Sequence, residues 1–187
     1  MAFVRVQPAG IYHVVSRGVD RRWIYADDDT RMLFLNLLAR VVAKRGVECH
    51  AYCLMGNHFH LVLETLEDGE LTPTMQYLNS TYARLFNETT GRSGYLFESP
   101  YGSFPVESER HALELSRYVV LNPVRVGICP RAEDYRWSSF RATIGLVTRP
   151  KFLRTEFVLG SFSDDPLRAP VQYALFVADG IAASSAR

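Results

Sequence analysis

His58 and His60 stand two residues apart at the head of the run Asn57-His58-Phe59-His60-Leu61-Val62-Leu63-Glu64. Side chains of a β-strand alternate faces with a period of two, so both imidazoles project from one face while Phe59, Leu61 and Leu63 take the other. Two imidazoles held side by side can form one half of a metal site. They can equally be ordinary residues of a solvated strand face, and an isolated His-x-His favours that plainer reading. A second polar set, Tyr118 and Asn122, shifts the balance, because a spacing of i and i+4 stacks the two on one face of a helix. A helix that needs only solubility uses Lys and Glu more readily than Tyr and Asn. His111 and Glu114 continue the same stripe, beside an apolar one of Ala112, Leu115 and Val119. Periodicity alone still reads Tyr118 as a half-buried helix residue with its hydroxyl in water.

The elements that must position these groups follow from the hydrophobic pattern. The β-branched and aromatic residues 11–16 predict a first strand, followed by a basic loop with Arg17, Arg21 and Arg22 and then Trp23. Asp27, Asp28, Asp29 and Thr30 supply helix caps, a simpler account of the acidic triplet than a metal cluster. Phe34, Leu37, Leu38 and Val41 then recur at helical spacing until Gly46. Residues 47–54 predict a second strand with Val47, Cys49, Ala51 and Cys53 on one face, joined to the histidine strand as an antiparallel hairpin. A second helix is predicted from about Thr74, with Met75, Leu78, Tyr82 and Leu85 on one face. A fourth strand is predicted near residues 102–106. Glu107, Ser108 and Glu109 open a third helix that Pro123 should end at or just beyond Leu121. This order predicts an α+β fold: a ferredoxin-like antiparallel sheet with helices on one face, plus the helix bearing Tyr118. A composition shift at Thr148 divides the chain into a core of 1–147 and a small helical C-terminal extension of 148–187.

Composition narrows the classes. With a net charge of only +1, any nucleic-acid surface must be a local patch. Cys49, Cys53 and Cys129 form no CxxC pair, which argues against a disulfide framework and suits a reducing cytoplasm. No apolar stretch approaches the roughly 20 residues that cross a bilayer. The expectation is a cytoplasmic protein with no membrane partner.

Two stretches carry a resemblance. Met55-Gly56-Asn57-His58-Phe59-His60-Leu61-Val62-Leu63-Glu64, followed by Ser116-Arg117-Tyr118-Val119-Val120-Leu121-Asn122-Pro123-Val124-Arg125-Val126-Gly127, resembles the single-tyrosine HUH transposases, the IS200-like transposase family. It is most similar to the branch that includes the REP-associated tyrosine transposases. Tyr12-His13-Val14-Val15-Ser16-Arg17-Gly18 and Trp137-Ser138-Ser139-Phe140 add to the agreement, which spans roughly residues 10–145. Gly56 departs from the pattern, where a proline is expected, and alters a turn but no ligand.

The resemblance implies a metal-dependent enzyme that cleaves and rejoins single-stranded DNA through a covalent 5′-phosphotyrosine, as in DNA transposition or the mobilisation of repeat elements. His58 and His60 would be the histidine ligands, Asn122 the third ligand and Tyr118 the nucleophile. The mixed nitrogen and oxygen set suits Mg²⁺ or Mn²⁺. The DNA partner would be single-stranded with local hairpins, and a homodimer is among the expected assemblies. Arg17, Arg21, Arg22, Trp23, Arg117 and Arg125 are candidates for contacting the strand. Two rivals stand beside this reading. One is a non-catalytic DNA-hairpin binder derived from such a transposase, which would need none of the four site residues. The other is a zinc hydrolase using His-x-His, for which no third ligand falls at a persuasive spacing.

Overall fold

The computed structural model describes residues 7–185, with side chains placed through residue 181. Four strands, β1 (Gly10–Arg17), β2 (Val47–Leu54), β3 (His58–Thr65) and β4 (Gly102–Pro105), form one antiparallel sheet in the order β2-β3-β1-β4. Helix α1 (Asp28–Lys44) connects β1 to β2 and α2 (Leu71–Thr90) connects β3 to β4, which is the ferredoxin-like arrangement. Asp27 caps α1 through a capping box with Thr30, as the acidic cluster predicts. Helix α2 starts at Leu71, three residues before the expected Thr74. Pro73 falls in the first turn, where a missing N–H costs no helical hydrogen bond.

Alternation sorts the sheet residues into two layers. Tyr12, Val14, Phe59, Leu61 and Leu63 join Phe34, Leu38, Met75, Leu78 and Tyr82 from α1 and α2 in the main core. On the other face, Ala51, Cys53, Met55 and Val62 pack under Leu115 and Val119 of α3 (Glu109–Arg125). Cys49 does not share a face with Cys53 as the strand pattern suggests. A β-bulge between Cys49 and Ala51 inserts His50 as an extra residue and reverses the alternation, so Cys49 enters the main core while Cys53 faces α3.

The open edge of β2 is covered by residues 135–139. Trp137 O accepts from Leu54 N at 2.9 Å, and Tyr52 O accepts from Ser139 N at 2.9 Å. The Trp137-Ser138-Ser139 stretch thereby closes an edge that would otherwise offer unpaired backbone groups. After a short α4 (Phe140–Thr143), α5 (Glu156–Gly160) and α6 (Arg168–Ser185) follow. Val158, Tyr173 and Val177 bury a second cluster with Val120 and Leu121 of α3. At Gly180 a Cβ would come within 2.9 Å of the Leu121 and Arg117 side chains, so glycine permits this helix crossing. No helix among the described residues is long and apolar enough to cross a membrane.

Candidate functional site

The β1–β3 register sets Val15 opposite His60 and Arg17 opposite His58. Directly opposed residues share a face, so His13, two residues before Val15, joins the two β3 histidines. His13 Nε2 lies 2.9 Å from His60 Nδ1, with the two rings stacked at 5.1 Å. His58 and His60 meet edge to face at 4.9 Å. Asn57 orders the outer member of this group. Its amide Nδ2 donates to Arg21 O at 3.1 Å, leaving Oδ1 to accept from His58 Nδ1 at 2.7 Å. With its proton on Nδ1, His58 keeps a lone pair on Nε2. Burial lowers the pKa of His60 to about 3, helped by His58, His13 and Arg17. Burial lowers that of His13 to about 4, with a contribution from His111, and also lowers that of His58, aided by Arg17. All three imidazoles are therefore neutral near pH 7, the form that binds cations.

Helix α3 brings Tyr118 to the same face. Tyr118 is 39% exposed, and its ring meets His60 edge-on at 5.8 Å and His13 at 5.9 Å. The Arg125 guanidinium lies 4.7 Å from the centroid of that ring. Asn122 is buried, and its Nδ2 donates to Tyr118 O at 3.0 Å and reaches Val119 O at 3.5 Å. This explains why α3 does not end at Leu121. Pro123 has no N–H for the Val119 carbonyl, and the Asn122 amide stands in for it, so the helix continues through Pro123 to Arg125. Since the amide nitrogen is committed, its Oδ1 is the atom left to act as a ligand. The stripe is less uniform than its spacing suggests. His111 stays exposed near His13, whereas Glu114 pairs with Arg117.

The expected cationic residues divide. Arg17, the last residue of β1, and Arg21, Arg22 and Trp23 in the segment that follows it are all exposed. Asp20 and Arg21 adopt left-handed backbone angles (φ 53° and 56°), a conformation that costs a non-glycine residue of order 1 kcal/mol or more and is met at binding sites. Gly18 is required by close approach, since a Cβ there would fall 2.2 Å from Arg22 O. Trp23 lies against Gly56, where an added Cβ would make ordinary contact with the indole at 3.6 Å, so the turn does not depend on glycine for space. Arg117 is drawn away from this face. It pairs with Glu114 and stacks its guanidinium 4.2 Å from the Phe176 ring centroid on α6.

A further ligand-type cluster occupies the opposite end of β3. Glu48, His50 and Glu64 bring their ligand atoms within 4.8 Å of one another and could hold a divalent ion. His50 Nε2 and Glu64 Oε2 are 2.7 Å apart, and Arg154 pairs with Glu48 at 3.4 Å. The donor set at His58, His60 and Asn122 also fits a divalent cation, on the chemistry of two neutral imidazoles and a committed amide with a spare oxygen. Spacing alone singles out neither His13 nor His50 as a site residue. The signal for His13 lay in the first strand's alternation once the register is known, and that for His50 only in the bulge. Around the histidines, His60 is buried, His13 and His58 are half-buried and Tyr118 is exposed, whereas a cleft of about 810 Å³ lined by Tyr77, Tyr95, Phe97 and Pro100 lies beside α2.

The family described as Transposase IS200 like matches residues 7–122. No curated protein matches the chain. Among solved structures, a REP-associated tyrosine transposase bound to a REP hairpin is 16% identical and superposes with a TM-score of 0.64, over 82% of this chain and 92% of that one. A candidate transposase from Deinococcus radiodurans is 18% identical over 64% of this chain and 92% of its own, with a TM-score of 0.45. The first of these likenesses is one of fold.

Proposed function

The chain belongs to the IS200-like transposase family, and on that premise we propose that it cleaves and rejoins single-stranded DNA with Tyr118 as nucleophile. The observation that supports this most is the convergence of Tyr118 on His60, 5.8 Å between rings, from segments far apart in sequence. His58, His60 and Asn122 would hold a divalent ion, Mg²⁺ or Mn²⁺, through the two Nε2 atoms and the amide Oδ1. When bound, such an ion supplies Lewis-acid stabilisation to the non-bridging oxygens of a phosphodiester.

The protein groups carry the rest of the chemistry. The Tyr118 oxygen attacks phosphorus, forming the tyrosine–phosphate bond as the bond to the 3′ oxygen breaks. The phenol proton leaves to solvent or a nearby base, and the departing 3′ oxygen takes up a proton to become a hydroxyl. A different 3′-hydroxyl can then attack the phosphotyrosine and regenerate the tyrosine, which joins strands without an external energy source. The exposure of Tyr118 suits a polymeric substrate. The Arg125 guanidinium over the ring helps to hold the Tyr118 side chain in place. Arg17, Arg21 and Arg22 would contact phosphates, and Trp23 would offer a face for a base to stack on. Arg117, engaged by Glu114 and Phe176, is assigned to bracing α3. Within the proposed C-terminal extension, Val158 of α5 and Tyr173 and Val177 of α6 pack with Val120 and Leu121 and so support that helix. The hairpin in the similar solved structure motivates a hairpin-containing substrate for this protein, which would act in the cytoplasm.

The test is incubation of the protein with labelled single-stranded hairpin DNA and Mn²⁺. An SDS-resistant adduct is expected, and it should be absent with EDTA. Tight hairpin binding with no adduct under any divalent ion would favour the non-catalytic binder instead.

A further inference from the structure

We infer that His13 positions His60, accepting the His60 Nδ1 proton on its own Nε2 so that His60 Nε2 is left unprotonated as a bare ligand. This deepens the metal reading above and rests on it. The two nitrogens are 2.9 Å apart, a distance that requires one proton between them. Only one of the two directions suits a ligand. If His13 donated, the single proton of neutral His60 would sit on Nε2, and that nitrogen could not bind a cation. A cation at Nε2 excludes the proton there, and among the described residues His13 Nε2 is the acceptor for the proton that Nδ1 then carries.

The surroundings make His13 a rigid partner. β1 is the ladder neighbour of β3, so the separation of the two imidazoles is fixed by backbone pairing and not by a loop. Their rings stack at 5.1 Å with an interplanar angle of 21°, which sets the plane of His60 as well as its tautomer. The opposite side of His13 rests against Phe104, with the centroids 6.0 Å apart. His58 obtains the same service from Asn57 Oδ1, and so each β3 histidine has one partner for its Nδ1. His13 also borders the Tyr118 ring at 5.9 Å, so one residue holds the ligand and flanks the proposed nucleophile.

Two substitutions separate the nitrogen from the ring. His13→Phe keeps an aromatic ring to stack on His60 but offers no acceptor. His13→Gln gives up the ring and supplies an amide oxygen that can accept from Nδ1. Mn²⁺ affinity measured by calorimetry should fall roughly 10- to 100-fold in His13→Phe, the range for loss of a ligand's hydrogen-bond partner, and recover towards wild type in His13→Gln. Full affinity in His13→Phe would overturn the inference. Loss in both variants would assign the effect to ring shape and overturn the acceptor role. In the wild-type protein loaded with Zn²⁺, long-range ¹H–¹⁵N correlation spectra should show the His60 proton on Nδ1 and a bare Nε2 on His13. A proton on His13 Nε2 would refute it without any variant. His58→Ala and His60→Ala serve as the reference. If both bind Mn²⁺ like wild type, the metal reading itself falls and takes this inference with it. If they lose binding while His13→Phe keeps it, only this inference falls.

Discussion

The two faces of the sheet are built under opposite rules although the same strands supply both. Towards α1 and α2, β3 presents Phe59, Leu61 and Leu63, all fully buried against an aromatic cluster in which Phe34 and Tyr82 meet edge to face at 5.2 Å. Towards α3 it presents His58 and His60, with only Val62 given to packing. The first face gains stability from apolar area removed from water. The second packs Ala51, Cys53, Met55 and Val62 under α3, and beside that packing neutral imidazoles, a half-exposed tyrosine and a guanidinium collect. The contrast teaches that a β-strand can anchor a fold and aim reactive groups at once, because a rigid apolar face holds the polar face still.

Substitutions can break that contrast, and the largest effect is expected at the polar face. Tyr118→Phe should reduce DNA cleavage by on the order of 10⁴ to 10⁶, as loss of a nucleophile does elsewhere. Its thermal midpoint should stay put, since the ring and its packing remain. A Tyr118→Phe protein that still formed the covalent adduct would end the nucleophile assignment. The opposite face should answer in stability. Phe59→Ala empties a fully buried aromatic site and should cost about 3–5 kcal/mol by urea titration. A cost below about 1 kcal/mol would mean that this face is not the anchor.

Asn122→Ala tests a residue that belongs to both roles. Removing its amide leaves the Val119 carbonyl beside Pro123 without its stand-in donor, and a loss of about 1–2 kcal/mol is expected. Unchanged stability would show that the helix tolerates Pro123 unaided. Tyr82→Phe sharpens the comparison with Tyr118. The Tyr82 hydroxyl donates to Ile24 O at 2.7 Å deep in the main core, so its loss should cost about 1 kcal/mol while cleavage stays intact. Impaired cleavage at unchanged stability would point to Tyr82 as a reacting group. The smallest effect belongs to Arg125→Ala. If the guanidinium also neutralises a phosphate, the slope of log affinity against log salt for single-stranded DNA should shrink by about 0.7. An unaltered slope would confine Arg125 to the Tyr118 ring.

Much of this molecule was legible in its residues. Strict alternation around His58 and His60 told which face each side chain takes, because a strand has only two. The capping cluster at Asp27–Thr30 located the start of α1, since side-chain oxygens there satisfy free backbone N–H groups. The i, i+4 spacing of Tyr118 and Asn122 put them on one side of α3, as any α-helix must. Where local chemistry could go either way, the pattern misled. Pro123 looked like a stop until the Asn122 side chain supplied the missing donor. The faces of Cys49 and Cys53 depended on a bulge that leaves no mark in periodicity.

What the sequence determined, then, was the set of faces: which residues share a strand side or a helix stripe, fixed by backbone geometry of short range. Tertiary structure alone decided which faces meet. His13 became a neighbour of His60 through the β1–β3 register, a pairing between residues 47 apart whose alignment depends on the whole sheet. Arg117, one residue from Tyr118, was drawn away from the histidine face by Phe176 of α6. Register and helix docking are set by summed burial over many contacts, and no single spacing encodes such a sum.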